Sequence, residues 1–227
     1  LQEVRECPHL KERKFWEQAN QIRLPWKIQT NCTENRSFVK ADNTFRILDM
    51  TNMWSGPYCT RLFADLGIEV IKVEAPHRPD GIRSKKGSDA PFFRELNRNK
   101  RGVSLDLTVI EDRQKFLKLV ETCDAVVENF SPRVMPNFGL QYEQLWKHQP
   151  ELVFLSLSAF GQTGPYSNFI GYGPTLEAMS GIAALTDYGD GKPWLPGFSV
   201  SDIGAGIHGA FILAASLIYR KRNRVGI

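Results

Sequence analysis

Several features that commonly identify an enzyme are missing from this sequence. Its four cysteines, Cys7, Cys32, Cys59 and Cys123, form no C-x-x-C pair. No His/Cys cluster has metal-ligand spacing either, so neither a metal site nor a disulfide framework organises the chain. Reduced thiols in a cytoplasmic protein are the simplest expectation. No apolar run reaches the eighteen or so residues that span a bilayer. Charge is nearly balanced, with 29 Lys and Arg against 25 Asp and Glu, and no basic stripe is interleaved with aromatics, so nothing points to a nucleic-acid partner. Two glycosylation-type triplets, Asn31-Cys32-Thr33 and Asn35-Arg36-Ser37, have no signal peptide ahead of them and read as chance. The chain starts without Met and is expected to be an internal fragment, which makes missing targeting signals weak evidence.

What is present describes a globular chain. The sequence is 42% hydrophobic and 24% charged over 227 residues, enough for a sizeable core in one large domain or parts of two. Two basic clusters stand out, Asn97-Arg98-Asn99-Lys100-Arg101 and Arg220-Lys221-Arg222-Asn223-Arg224. They read as solvated faces or as an attraction for a phosphorylated ligand.

Residues 1–43 differ from the rest. Cys7 to Trp16 predicts a short helix, Ile22 to Trp26 an extended piece, and Thr30 to Thr44 a polar linker. From Phe45 onward strands and helices alternate. Strands are predicted at 45–50, 68–74, 102–107, 125–129 and 152–158. Helices are predicted at 57–66, 111–122, 142–148, 175–185 and 203–219, with Gly67 stopping the first. Short strands separated by helices imply right-handed crossovers and a Rossmann-like, mainly parallel sheet with helices on both faces. Ligands bind at the carboxyl ends of such strands, where Glu128-Asn129-Phe130 and Ser158 to Gly161 fall.

The usual nucleotide and hydrolase signatures are absent. The first strand is followed by Thr51-Asn52-Met53-Trp54-Ser55-Gly56-Pro57 in place of G-x-G-x-x-G, and there is neither a P-loop nor a G-x-S-x-G elbow. Ser55-Gly56-Pro57 suits a helix start, as a cap or as an anion-receiving set of amides. Further along, Pro196 to Gly209 brings Asp202 to the start of a long apolar helix among Gly204, Ala205, Gly206 and Gly209. By residue type Asp202 is either a helix cap or a carboxylate nucleophile with small neighbours that admit a ligand.

An ordered series of segments resembles the class III coenzyme A transferases, the formyl-CoA and carnitinyl-CoA transferase group. It runs through Ile47 to Thr51 with Ser55-Gly56-Pro57, Ala64 to Gly67, Val70 to Glu74, Asn97 to Arg101 with Leu105-Asp106-Leu107, and Val127 to Phe130. It continues through Phe160 to Tyr166, Ala178 to Gly181, and Val200-Ser201-Asp202. The resemblance implies a Rossmann-like large domain, incomplete here, over 44–227. It implies CoA transfer between an acyl-CoA and a carboxylic acid, with Asp202 as nucleophile and an aspartyl-CoA intermediate. It also implies CoA as a substrate with no tightly bound cofactor or metal. Met53, Trp54, Ser55, Asn129 and Phe130 then belong to the CoA surface, while Leu105 and Phe138 read either as further CoA contacts or as core packing.

Departures from the family pattern narrow the reading. Gly173 stands where the racemase branch carries an acid/base Asp, which argues against racemisation. Ala75 replaces a common basic residue. The glycine-rich loop that shields the intermediate lies further along in the family, so this chain alone is expected to be inactive. Leu10 to Trp16 resembles the closing part of a domain of the same family. Residues 1–43 are thus either the end of a preceding unit plus a linker, or an unrelated extension. A homodimer or a tandem pairing of units is expected. Two alternatives stand beside transfer: transfer coupled to lyase chemistry on dimethylsulfoniopropionate, as in a tandem branch of the family, and a non-catalytic CoA-binding half.

Overall fold

The computed structural model describes residues 6–14, 16–18, 21–22, 45–83 and 90–227. The predicted linker at 30–44 and the extended piece at 23–26 lie outside them.

Five strands form one parallel sheet: β3 (Arg46–Asp49), β4 (Glu69–Glu74), β5 (Arg101–Ser104), β6 (Ala125–Glu128) and β7 (Val153–Ser156), in the order β5-β4-β3-β6-β7. The expectation of a Rossmann-like α/β sheet holds. Alternation along β3 assigns the two faces. Ile47 faces a core layer with Phe63, Val70, Ala125, Val127, Val153, Leu213 and Leu217. Leu48 faces the other layer, with Val73, Phe116, Val126, Leu145 and Leu152. A central strand buried on both faces reads as a continuous apolar run, as Ala125-Val126-Val127 of β6 does, whereas the edge strand β5 exposes Arg101 and Gly102.

The first layer is covered by α2 (Ser55–Asp65) and by the long helix α9 (Val200–Asn223). The second is covered by α4 (Ile110–Val120), the short α5 (Val134–Asn137) and α6 (Tyr142–His148). Gly67 ends α2 with φ +83°, a left-handed conformation that suits glycine. The helix predicted at 175–185 is two pieces, α7 (Gly173–Met179) and α8 (Ile182–Leu185), because Gly181 adopts φ +84° between them. A further helix, α3 (Pro91–Asn97), precedes β5 in a segment to which the sequence assigns no element. Pro91 fits its first turn, where a missing N–H costs nothing.

The amino-terminal segment also differs from expectation. The helix predicted at 7–16 is reduced to α1 (Pro8–Glu12), and Trp16 opens a two-stranded hairpin of β1 (Trp16–Gln18) and β2 (Gln21–Ile22). Lys14 has φ +52°, which ends the helix. Helix α1 docks on the loop after β7. His9 Nε2 donates to the Phe160 carbonyl at 2.7 Å, and the Tyr166 N–H donates to His9 Nδ1 at 3.0 Å. The ring therefore carries its proton on Nε2 and is neutral.

At the other end of the sheet, Arg220 ties α9 to the strands. It pairs with Asp124 at 2.6 Å and donates to the Glu151 carbonyl at 2.6 Å. Arg224 joins Glu151 at 3.1 Å. The second basic cluster is thus partly a structural clamp and not wholly a solvated face. By length and composition α9 could cross a membrane, which the sequence reading did not anticipate. Its Gly206 and Gly209 pack closely against α2 and Leu157.

Candidate active site

Strand order reverses between β3 and β6, and their carboxyl ends are where such sheets receive ligands. Asp49 ends β3 and is fully buried. Its Oδ2 accepts from Lys100 Nζ at 2.9 Å and from Thr60 Oγ1 at 2.7 Å, while Oδ1 accepts from the Thr51 N–H and hydroxyl. Burial pushes the Asp49 carboxyl up, but Lys100 and Lys72 outweigh it and hold the pKa down at about 2. Lys100 also donates to the Pro57 carbonyl and to Asn97 Oδ1, each at 2.9 Å. Its side chain is 1% exposed. The first basic cluster is therefore split. Lys100 is neither a solvated charge nor a surface phosphate contact, because the Asp49 carboxylate at the carboxyl end of β3 draws it inward. Arg98 and Asn99 instead bind Asp65 at the surface.

A second buried pair anchors the loop after β3. Lys72 meets Asp80 at 3.0 Å and donates to the Thr51 carbonyl at 2.7 Å. Asp80 Oδ1 accepts the Met53 N–H at 2.9 Å. Met53 has φ +66°, an unfavourable conformation for a side-chain-bearing residue that the surroundings must impose. Asn129 fixes the same loop from β6. Its Oδ1 accepts the Asn52 N–H at 2.8 Å, and its Nδ2 donates to the Asn52 carbonyl at 2.7 Å. Trp54 meets Phe92 edge-on at 4.7 Å. Ser55 is the first residue of α2 and Trp54 its cap position, so Ser55 is not the cap.

Helix α9 begins three residues earlier than predicted. Ser199 occupies the cap position, and Asp202 lies within the first turn. Asp202 is therefore not the cap. Ser199 Oγ donates to Asp202 Oδ2 at 2.6 Å, and among the described residues no Lys or Arg pairs with this carboxylate. One helical turn further, a side chain at Gly206 would meet Tyr58 Cδ1 at 2.6 Å and the Ser55 carbonyl at 2.9 Å. A side chain at Gly209 would meet Leu157 at 3.0 Å. These glycines let α9 lie against α2, whereas Gly204 faces open space. The small residues after Asp202 thus serve helix packing at two positions and leave room at one.

The close approach at Gly206 sets Asp202 about 6 Å along the helix axis from the Ser55 contact, at a rise of about 1.5 Å per residue. Asp202, the loop Met53 to Ser55, and Asn129 therefore share one end of the sheet. Phe130 also follows β6, with its N–H donated to Glu128 Oε2 at 2.7 Å. Leu105 is buried in the core layer behind Leu48, and Phe138 packs partly against that layer. Gly173 opens α7 directly beside Asp202. A side chain there would overlap Ser199 Oγ and come within 2.7 Å of Asp202 Oδ2.

Sequence reasoning missed the buried charges Asp49, Lys72, Asp80 and Glu128. A signal existed for two of them. Asp49 and Lys72 interrupt apolar strands and sit opposite each other in the β3–β4 register; charges inside such strands are rarely buried without partners.

The chain matches the model of CoA-transferase family III over residues 43–226. It is 36% identical over 191 residues to a succinate–glutarate CoA-transferase of Agrobacterium fabrum, covering 80% of this chain and 48% of that protein. It is 36% identical to a formyl-CoA:oxalate CoA-transferase of Afipia carboxidovorans, covering 82% of this chain and 45% of that protein. The fold matches the crystal structure of a CAIB/BAIF family protein from Brucella suis. The TM-score is 0.76 at 32% identity, covering 82% of this chain and 52% of that one. The chain spans about half the length of the curated relatives it matches. With the family model matched along most of its length, this chain belongs to CoA-transferase family III.

Proposed function

We propose that the chain is the nucleophile-bearing part of an enzyme that moves coenzyme A from an acyl-CoA to a small carboxylic acid. The supporting observation is Asp202, which among the described residues is held by one hydroxyl at 2.6 Å and pairs with no cation. A carboxylate locked in an ion pair is a poor nucleophile, whereas this one can reach a thioester positioned beside it.

In the proposed route a carboxylate oxygen of Asp202 attacks the thioester carbonyl. The C–O bond forms, the C–S bond breaks and CoA leaves as thiolate. The thiolate then attacks Cγ of the mixed anhydride and expels the donor acid as its carboxylate. The acceptor carboxylate attacks the resulting aspartyl-CoA thioester, and the thiolate released takes the acceptor's acyl group. Asp202 is regenerated, and CoA is a substrate and not a resident cofactor. Met53, Trp54, Ser55, Asn129 and Phe130 would line the CoA path, with Leu105 and Phe138 contributing only from beneath. Relatives named for glutarate and oxalate support a small dicarboxylate as acceptor.

Residues 44–227 are read as the opening part of the transferase domain, and residues 1–43 as the end of a preceding unit plus a linker. The outward face of α9, with Ile207, Phe211 and Ile218 exposed, supports pairing with a second copy or a second unit. A cytoplasmic setting fits free Cys59 and Cys123.

The full-length protein, incubated with succinyl-CoA and a series of dicarboxylates, should yield new CoA thioesters by mass spectrometry. Asp202→Asn should abolish them, and undiminished transfer in that variant would sink the mechanism. Hydroxylamine labelling of an Asp in another unit would assign the non-catalytic role. Release of dimethyl sulfide from dimethylsulfoniopropionate would assign the lyase.

A further inference from the structure

Ser199 is placed to do more than open a helix. It is 9% exposed, and its hydroxyl lies 2.6 Å from Asp202 Oδ2. A carboxylate only accepts hydrogen bonds, so the Ser199 proton points at Oδ2. Among the described residues the other oxygen, Oδ1, has no such bond. The local structure protects this arrangement from two sides. Gly173 has no side chain, and any Cβ there would overlap Ser199 Oγ. Ser201 holds the same turn by donating to the Gly173 carbonyl at 3.2 Å.

We infer that Ser199 is the oxyanion donor for the chemistry at Asp202 Cγ, and that it selects Oδ1 as the attacking oxygen. This rests on the reading of Asp202 as nucleophile. Oδ1 attacks the acyl-CoA and becomes the bridging oxygen of the anhydride. When the CoA sulfur adds to Cγ, the Cγ=Oδ2 electron pair moves onto Oδ2, the atom that already faces the Ser199 proton. Collapse restores Cγ=Oδ2, breaks Cγ–Oδ1 and releases the donor carboxylate carrying Oδ1. Addition of the acceptor carboxylate to the aspartyl thioester again places charge on Oδ2, and collapse expels the thiolate. One preformed hydroxyl thus serves both additions without reorganising, the property that makes such donors effective.

The test compares Ser199→Ala, Ser199→Cys and Asp202→Asn in the full-length protein. Loss of a single oxyanion donor lowers kcat by about 10²- to 10³-fold, and the KM for acyl-CoA should stay within about threefold because the lost bond acts on the addition step. Ser199→Cys, a near-isosteric weak donor, should fall between Ala and the parent and serves as the readout should the Ala variant not fold. The carbonyl stretch of the aspartyl-CoA thioester, trapped without acceptor and isolated by ¹³C-labelled aspartate, should move to higher frequency in the Ser199 variants. A purely structural role would not move it. If Asp202→Asn is inactive while the Ser199 variants keep the parent's kcat and carbonyl frequency, the inference is overturned and the nucleophile stands. Transfer surviving in Asp202→Asn overturns the nucleophile reading itself, and with it the role given to Ser199.

Discussion

Asp49 and Asp202 present the same carboxylate near the same end of the sheet, one closing β3 and one in the first turn of α9. Asp49 is fully buried and receives Lys100, Thr51 and Thr60 on its two oxygens. Asp202 is half-buried and, among the described residues, receives one hydroxyl. Each neighbour that stabilises a carboxylate also removes a direction from which it can react. The contrast explains how one small region can contain both a structural anion and a candidate nucleophile. The buried pairs Asp49–Lys100 and Lys72–Asp80 hold the Thr51 to Met53 loop and the start of α2. That frame is what α9 leans on at Gly206, one turn beyond Asp202.

The sharpest way to break this comparison is to exchange acid for amide at each position. Asp202→Asn should cost on the order of 10⁴-fold or more in transfer rate, as loss of a nucleophile does, and change stability by less than about 1 kcal/mol. Asp49→Asn should show the reverse balance. Removing one partner of a buried pair costs about 3–5 kcal/mol, so denaturant melts should shift strongly even where residual folded protein still binds CoA. An Asp49→Asn variant as stable as the parent would refute the anchoring role.

Acid titration sharpens the same point. Burial opposes the Asp49 charge, but Lys100 and Lys72 more than reverse it, giving about 2 against an ordinary 3.8. The folded pKa is below the unfolded one, so this stabilisation is present above pH 3.8 and disappears as pH falls toward 2. Glu128 behaves oppositely. Burial lifts it from 4.5 to about 7, against hydrogen bonds from Ser156 and the Phe130 N–H. The native state keeps a proton that the unfolded chain has lost, so stability falls as pH rises from 4.5 to about 7. The drop is roughly 3 kcal/mol at about 1.4 kcal/mol per unit. Glu128→Gln should remove that slope in melts between pH 5 and 8, and an unchanged slope would place the titration elsewhere.

Smaller effects test the frame between the two aspartates. Gly206→Ala should separate α9 from α2 at Tyr58 and the Ser55 carbonyl, costing about 1–3 kcal/mol as overpacking does and lowering transfer in proportion to the displaced turn. Asn129→Ala should raise the KM for acyl-CoA a few-fold by freeing Asn52, and should lower stability by about 2 kcal/mol, about 1 for each of the two neutral hydrogen bonds lost. Steady-state kinetics with thermal melts on the same samples separates the two contributions.

Much of the fold was legible because its signals are local. The five strand segments and the break at Gly67 lie in the sequence itself, and helix 142–148 emerged with its predicted bounds. The candidate site was legible only in part. Asp202, Met53 to Ser55 and Asn129 share one end of the sheet. Leu105 and Phe138 could not be divided between ligand and core by residue type, since both demands select apolar side chains. Lys100 looked like a surface charge because its neighbours Arg98 and Arg101 are surface charges. Its acceptor, Asp49, lies 51 positions away.

By itself the sequence determined the alternation of strands and helices, the parallel sheet that alternation requires, and the residue types available for chemistry at the strand ends. Those follow from periodicity and from the conformational limits of Gly and Pro. Only the tertiary structure decided which acid is locked and which is free. It also decided that Gly206 serves packing while Gly173 clears space for a hydroxyl, and that Ser199, not Asp202, takes the cap position. Those outcomes depend on distances between segments that the chain brings together only when the sheet has formed, and burial then gives each pairing its electrostatic weight.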